Sequence, residues 1–201
     1  LEAYYAIHPA DLDGDGVPEW STFFARRDAH LKLLPPETKD AVLARITPTD
    51  DFALLDGCDM VVEAVFEDTA IKAETTKKAE AVLPAEAIFA SNTSTLPISQ
   101  LAQASRSPDQ FIGLHFFSPV DRMGLVEVIM GKQTSKETLA KGLDFIAQLR
   151  KTPIVVNDSR GFYTSRVFGT YVMEGITMLR EGVHPLSIEA AGLQAGMPMP
   201  P

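Results

Sequence analysis

From Asp59 onward, short β-branched apolar runs alternate with helix-patterned segments. This alternation constrains the fold more than any other feature of the 201 residues. Met60-Val-Val-Glu-Ala-Val-Phe66 and Ala87-Ile-Phe-Ala90 are nearly unbroken apolar stretches. Such stretches suit strands buried on both faces. Between them, Thr69 to Leu83 mixes Ile71, Ala73, Ala79, Val82 and Leu83 with Lys and Glu, and Pro84 ends it as a helix. Ile98 to Ala104 reads as a short helix, Phe111 to Phe116 as a third strand and Leu125 to Met130 as a fourth. Lys136 to Arg150 is a helix capped by Thr134 or Ser135, with Glu137 in its first turn. Pro153 to Val156 is a fifth strand. The order predicts α/β layers, with parallel pairing of at least the early strands.

The flanks differ. Gly161 to Arg180 is a long helical stretch closed by Gly182 at C′, and Ser187 to Ala195 is a second helix with Ser187 as its cap. The pattern therefore hands over from α/β to all-helical near residue 160. At the other end, Glu37 to Ile46 has helix character, and Pro36 suits its first position. Residues 1–34 are of another style, with Tyr4, Tyr5, Trp20, Phe23 and Phe24, an acidic loop from Asp11 to Glu19, and a possible helix from Ser21 to Leu34. Hydrophobic residues at 45% are enough to bury a core, which excludes bulk disorder. No apolar run approaches the roughly 18 to 20 residues of a membrane span. The net charge of −9 without a Lys/Arg block argues against nucleic acid and anionic membrane surfaces as partners. One cysteine, Cys58, allows no internal disulfide, and a reducing, cytoplasmic setting is expected. Cys58 itself reads as a packed residue.

In an open α/β sheet, ligands bind beyond the carboxyl ends of the strands. Three polar features fall there: Ser91-Asn-Thr-Ser-Thr95 after the second strand, His115 at the end of the third, and Glu127 in the fourth. A turn through Ser118 to Gly124 would bring the Glu127 carboxylate beside the imidazole. A histidine held by a carboxylate has a fixed tautomer and can serve as a general base. A hydroxyl such as Ser94 could hold a substrate oxygen. Each residue also has a bland reading, His115 as a packed core histidine and Glu127 as a solvated strand-end acid. Spacing alone leaves both standing.

Phe89-Ala-Ser-Asn-Thr-Ser94, Gly113-Leu-His-Phe-Phe-Ser-Pro119, Leu125-Val-Glu-Val-Ile129 and Asp158-Ser-Arg-Gly-Phe162 occur in that order. Together they resemble the 3-hydroxyacyl-CoA dehydrogenase family, nearest to the dehydrogenase part of the multifunctional fatty-acid β-oxidation enzymes, which also carry a hydratase. The match runs from about Glu37 to Met199. The resemblance implies an incomplete Rossmann-type dinucleotide-binding domain over 35–159, lacking its glycine-rich first unit. It implies the first helices of a helical substrate and dimerisation domain over 160–201, with residues 1–34 unlike the family. It implies NAD as cofactor, an acyl-CoA as substrate, and oxidation of L-3-hydroxyacyl-CoA to 3-oxoacyl-CoA. His115 matches the family's catalytic base, Glu127 the carboxylate orienting it, and Ser94 the hydroxyl contacting the substrate oxygen. Glu67 and Lys72 match positions near the nicotinamide ribose and the cofactor–substrate channel, and Asn92 lies in the same loop as Ser94. A homodimer through the helical domain, with Phe162 to Leu179 contributing, is also implied.

Three departures stand out. Ser118 follows His-Phe-Phe where the family often has Asn. Ser165-Arg166 stands where Asn-Arg is frequent; both serines keep a hydrogen-bonding group at shorter reach as substrate contacts. No Gly-x-Gly-x-x-Gly turn exists in the sequence, although this is the element that lets backbone approach a pyrophosphate. The competing expectation is therefore a truncated, non-catalytic remnant that cannot bind NAD alone. Asp11-x-Asp13-x-Asp15-Gly16 also resembles the start of a calcium loop ending at Glu19, against the simpler reading of a solvated acidic turn with no metal.

Overall fold

The computed structural model describes residues 36–197 and 199–201. The acidic loop at 11–19 and the helix expected over Ser21 to Leu34 lie outside them. The helix expected at Glu37 forms as α1 (Pro36–Leu43), with Pro36 as its first residue. The strands are β1 (Met60–Glu63), β2 (Ile88–Ser91), β3 (Phe111–Phe116), β4 (Leu125–Met130) and β5 (Thr152–Asn157). Helices α2 (Thr69–Glu80), α3 (Ile98–Leu101) and α4 (Lys136–Gln148) are interleaved with them. Helices α5 (Thr164–Arg180) and α6 (Pro185–Gln194) follow and pack on each other.

The strands form one sheet in the order β1-β2-β3-β4-β5. β1, β2 and β3 are parallel, as the alternation with helices predicts, whereas β4 runs antiparallel to β3 and β5 parallel to β4. The carboxyl ends of β1 to β3 therefore meet the amino end of β4 at one end of the sheet. Alternate residues feed two cores. Phe89, Phe111 and Ile129 pack with Leu55, Ala79, Ile98, Leu101 and Phe162 on one face. Ile88, Ala90, Ile112, Leu114, Val126 and Val128 pack with Ile146 of α4 on the other. Cys58 is buried in the first cluster, as a packed residue should be. Gly113 faces that cluster, and a Cβ there would come within 2.7 Å of Ile98 and 2.9 Å of Ile129. Its missing side chain is what lets α3 lie close on the sheet.

Several local expectations need correction. β1 ends at Glu63 rather than Phe66, and Phe66 is 59% exposed. The Glu63 carboxylate turns back to accept from Val65 N–H at 3.2 Å, which ends the ladder. The last long helix begins at Thr164, not Gly161, because Gly161 (φ +75°) and Phe162 (φ +44°) are both left-handed. This double reversal redirects the chain across the sheet face before α5 starts. α6 is capped by His184 rather than Ser187: Nδ1 accepts from Leu186 N–H at 3.3 Å, with Pro185 at the first position. The other caps follow expectation. Ser135 caps α4 by accepting from Thr138 N–H, and Gly182 (φ +91°) closes α5.

Candidate active site

His115 and Glu127 are direct partners in the antiparallel β3–β4 ladder. Facing side chains across such a ladder point to the same side. Here His115 Nδ1 and Glu127 Oε2 are 2.7 Å apart. A carboxylate only accepts, so Nδ1 carries a proton, and in the neutral form of the ring the lone pair lies at Nε2. His115 is 6% exposed and Glu127 is fully buried. The rings of Phe117 and Phe162 lie 4.5 and 6.1 Å from the imidazole, centroid to centroid. They give the pair an apolar surround that orients the ring.

The sequence does not announce what else holds Glu127. After the Gly161–Phe162 reversal, the first amides of α5 point at it. Oε1 accepts from Tyr163 N–H at 3.0 Å and Thr164 N–H at 2.9 Å. Oε2 also accepts from the Thr164 hydroxyl at 2.7 Å. α5 has no cap from its own neighbours, so a β4 carboxylate caps it from 37 residues upstream. The positive end of the helix dipole favours that charge. Burial by itself raises the Glu127 pKa. The hydrogen bonds from His115, Thr164 and Tyr163 together outweigh it and hold the carboxyl below its usual range.

The loop after β2 is held by a second carboxylate. Glu67 Oε1 accepts from the Thr93 hydroxyl at 2.6 Å and from Ser94 and Thr95 N–H at 2.9 and 3.0 Å. Burial again pushes upward. The bonds from Thr93, Thr95 and Ser94 and the charge of Lys72 prevail, leaving Glu67 below the ordinary carboxylate range. Lys72 lies beneath the loop, 1% exposed, with Nζ 3.1 and 3.0 Å from the two oxygens of Glu63 and 3.4 Å from Glu67 Oε2. Its ammonium is committed inside the protein and reaches the site through Glu67. The Ser91 hydroxyl donates to Glu63 as well. Asn92 Oδ1 accepts from Phe116 N–H at 2.8 Å, which ties the loop to the residue after His115.

Ser94 is exposed at the loop tip, and its carbonyl lies 3.5 Å from the Ser165 hydroxyl on the first turn of α5. The structure thus gathers His115, Glu127, Asn92, Ser94, Ser165 and Glu67 at the carboxyl ends of β1 to β3. Ser118 is exposed in the β3–β4 connection and is joined to this group only through the chain. Sequence reasoning missed Thr164, Thr93 and Glu63. Only Glu63 had a signal, being an acid inside an otherwise apolar strand. Asp158, part of a recognised motif, accepts from Ile98 and Ser99 N–H at 2.8 and 2.9 Å and so fastens α3 to the end of β5. Among the described residues, no cluster of three or more His, Cys, Asp or Glu could hold a metal.

A base poised on Nε2 in an apolar surround, with an exposed hydroxyl on the neighbouring loop, can take a proton from a secondary alcohol. The model for the NAD binding domain of 3-hydroxyacyl-CoA dehydrogenase matches residues 19–159, and that for its C-terminal domain matches 161–201. The chain belongs to the 3-hydroxyacyl-CoA dehydrogenase family. Its sheet is accordingly part of a Rossmann-type domain, and α5 and α6 begin the helical one. The fatty acid oxidation complex subunit alpha of Shewanella baltica is 44% identical over 168 residues, 84% of this chain and 24% of that protein. The corresponding subunit of Shewanella halifaxensis is 43% identical over the same shares. The chain therefore spans about a quarter of the curated relatives it matches. Among solved structures, the (S)-3-hydroxybutyryl-CoA dehydrogenase of Ralstonia eutropha superposes with a TM-score of 0.83 at 35% identity, over 90% of this chain and 65% of that enzyme. The 3-hydroxybutyryl-CoA dehydrogenase of Escherichia coli gives 0.82 at 31% identity, over 90% of this chain and 39% of that one.

NAD is the cofactor of this family. An ionised, partly exposed Glu67 beside a loop of hydroxyls has the chemistry to accept from a ribose. No residue set of this sequence supplies the glycine-rich turn for the pyrophosphate.

Proposed function

We propose that the chain oxidises the C3 hydroxyl of an L-3-hydroxyacyl-CoA to the ketone with NAD, as a step of fatty-acid β-oxidation. The buried His115–Glu127 pair at 2.7 Å carries this reading. NAD, when bound, would supply the hydride acceptor for C3. His115 takes the hydroxyl proton on Nε2, and the resulting imidazolium faces the Glu127 carboxylate. Ser94 holds the substrate oxygen, and Asn92 fixes the loop beside the base. Ser118 and Ser165 border the substrate. Glu67 binds ribose hydroxyls while Lys72 steadies it from below. Residues 35–159 form the cofactor domain without its glycine-rich unit, and 160–201 start the substrate domain.

The helical part also supports a proposed homodimer. Val167, Phe168, Ile176 and Leu179 on α5 are exposed, whereas Phe162 is buried against the sheet and takes no part in that surface. The test of activity is acetoacetyl-CoA reduction followed by loss of NADH. His115→Ala should lower the rate about 10²- to 10⁴-fold. Turnover that survives the substitution would sink the assignment.

A second reading rests on the absent glycine-rich turn: this chain by itself does not hold NAD, and a partner segment supplies that unit. Calorimetric titration with NAD separates the two, since the second reading expects no binding heat from a folded protein.

A further inference from the structure

Oε2 of Glu127 receives two donors at the same distance. His115 Nδ1 lies 2.7 Å away, and so does the Thr164 hydroxyl. The two compete for one oxygen's electron density in a fully buried site. A donor to a carboxylate disperses its charge and weakens its pull on any other proton it holds. We propose that Thr164 is a positioning residue that moderates the proton affinity of the His115–Glu127 pair through the shared oxygen. It also fixes which face of the carboxylate meets the ring, because the Thr164 and Tyr163 amides hold Oε1 at the same time.

The surroundings leave few other influences. From β3, Glu127 faces His115, and from β5 the register neighbour is Ile154. From the start of α5 it meets Thr164, and from the residue before that helix Tyr163. His115 is bordered by the rings of Phe117 and Phe162. The titratable side chains in this set are His115 and Tyr163, and the Tyr163 side chain is exposed. The hydroxyl of Thr164 is thus the one side-chain donor to Glu127 besides His115 among the described residues, and it sits on the first residue of the helix that Glu127 caps.

The inference rests on His115 as the base, yet it is tested without turnover. The assay is a nuclear magnetic resonance pH titration of the imidazole in the full chain, with no NAD or substrate. The signal is assigned as the one missing from His115→Gln. Losing the hydroxyl in Thr164→Val concentrates charge on Oε2 and favours the protonated ring. The pair's midpoint should rise by about half to one pH unit. Thr164→Ser keeps the donor and should stay at the wild-type midpoint. Should Thr164→Val not fold, Thr164→Ala against Thr164→Ser gives the same comparison. An unchanged or lowered midpoint in the hydroxyl-free variants would overturn the proposal, as would an equal shift in Thr164→Ser. Activity lost in His115→Ala tests the base assignment separately.

Discussion

Replacing Lys72 by methionine isolates the buried charge beneath the cofactor loop. Lys72 is 1% exposed and Glu63 4%. The ammonium donates to both Glu63 oxygens and to the Val65 carbonyl at 3.3 Å. Methionine keeps most of the stem's packing and removes only the charge and its hydrogen bonds. Glu63 would then rely on the Ser91 hydroxyl and the Val65 amide. Removing one member of a buried ion pair costs about 3–5 kcal/mol, because the survivor stays charged and unmatched. Against the roughly 5–15 kcal/mol that holds a typical domain together, that is a large share. Adding Glu63→Gln removes the stranded charge and keeps one acceptor oxygen for the Val65 amide, while the Ser91 hydroxyl can turn to accept from the new NH2 group. The double variant should therefore cost only about 1–2 kcal/mol, roughly 2–3 kcal/mol less than Lys72→Met alone and well below the sum of the two singles. Urea denaturation followed by circular dichroism on the wild type, both single variants and the double variant measures each term. A Lys72→Met cost below about 1 kcal/mol, or a double variant as damaging as the sum of the singles, would refute the reasoning.

Other expectations follow from the same geometry. Gly113→Ala pushes a methyl into Ile98 and Ile129 and should destabilise by about 1–3 kcal/mol in the same urea assay. Asp158→Ala strips the acceptor from the first amides of α3 and should cost about 1–2 kcal/mol. Glu127 is held below its ordinary value in the folded state, so its contribution is complete above the unfolded pKa and is lost as pH falls through the lower, folded one. The drop in urea midpoint between neutral pH and about pH 3 should accordingly be smaller in Glu127→Gln than in wild type. An equal drop would mean the carboxylate is not favoured by folding.

The features legible in the sequence are those written in local pattern. β3 and β4 run over the expected residues because Phe111 to Phe116 and Leu125 to Met130 are unbroken apolar runs around one polar partner each. A turn through Ser118 to Gly124 could bring Glu127 beside His115 on the sequence alone, and the antiparallel register sets the two directly opposite. The apolar pattern by itself does not give the direction of β4, because periodicity is blind to strand direction; only the expected turn through Ser118 to Gly124 points to it. β1 was overextended since Ala64, Val65 and Phe66 continue its apolar character, while the bond that ends the strand comes from a side chain. Thr93 lies inside the polar loop that the sequence marks but nothing there singles it out, and Thr164 carries no signal. A threonine near a helix start or in a polar loop is ordinary, and its importance lies in a carboxylate brought from 26 or 37 residues away. The start of α5 was misplaced for the same kind of reason, as Phe162 gives no hint of a left-handed backbone.

Glu127 holds the imidazole with one oxygen and the start of the last long helix with both. Its ring partner comes from β3, the carboxylate from β4, and the two amides from the segment beyond the sheet. The carboxylate that holds the His115 ring is therefore fixed from both sides only while sheet and helix are docked. A swing of the helix away from the sheet would strip three donors from the carboxylate with every strand still in register. The joint between the two parts works as an interlock, because undocking would leave a buried charge tied to His115 alone.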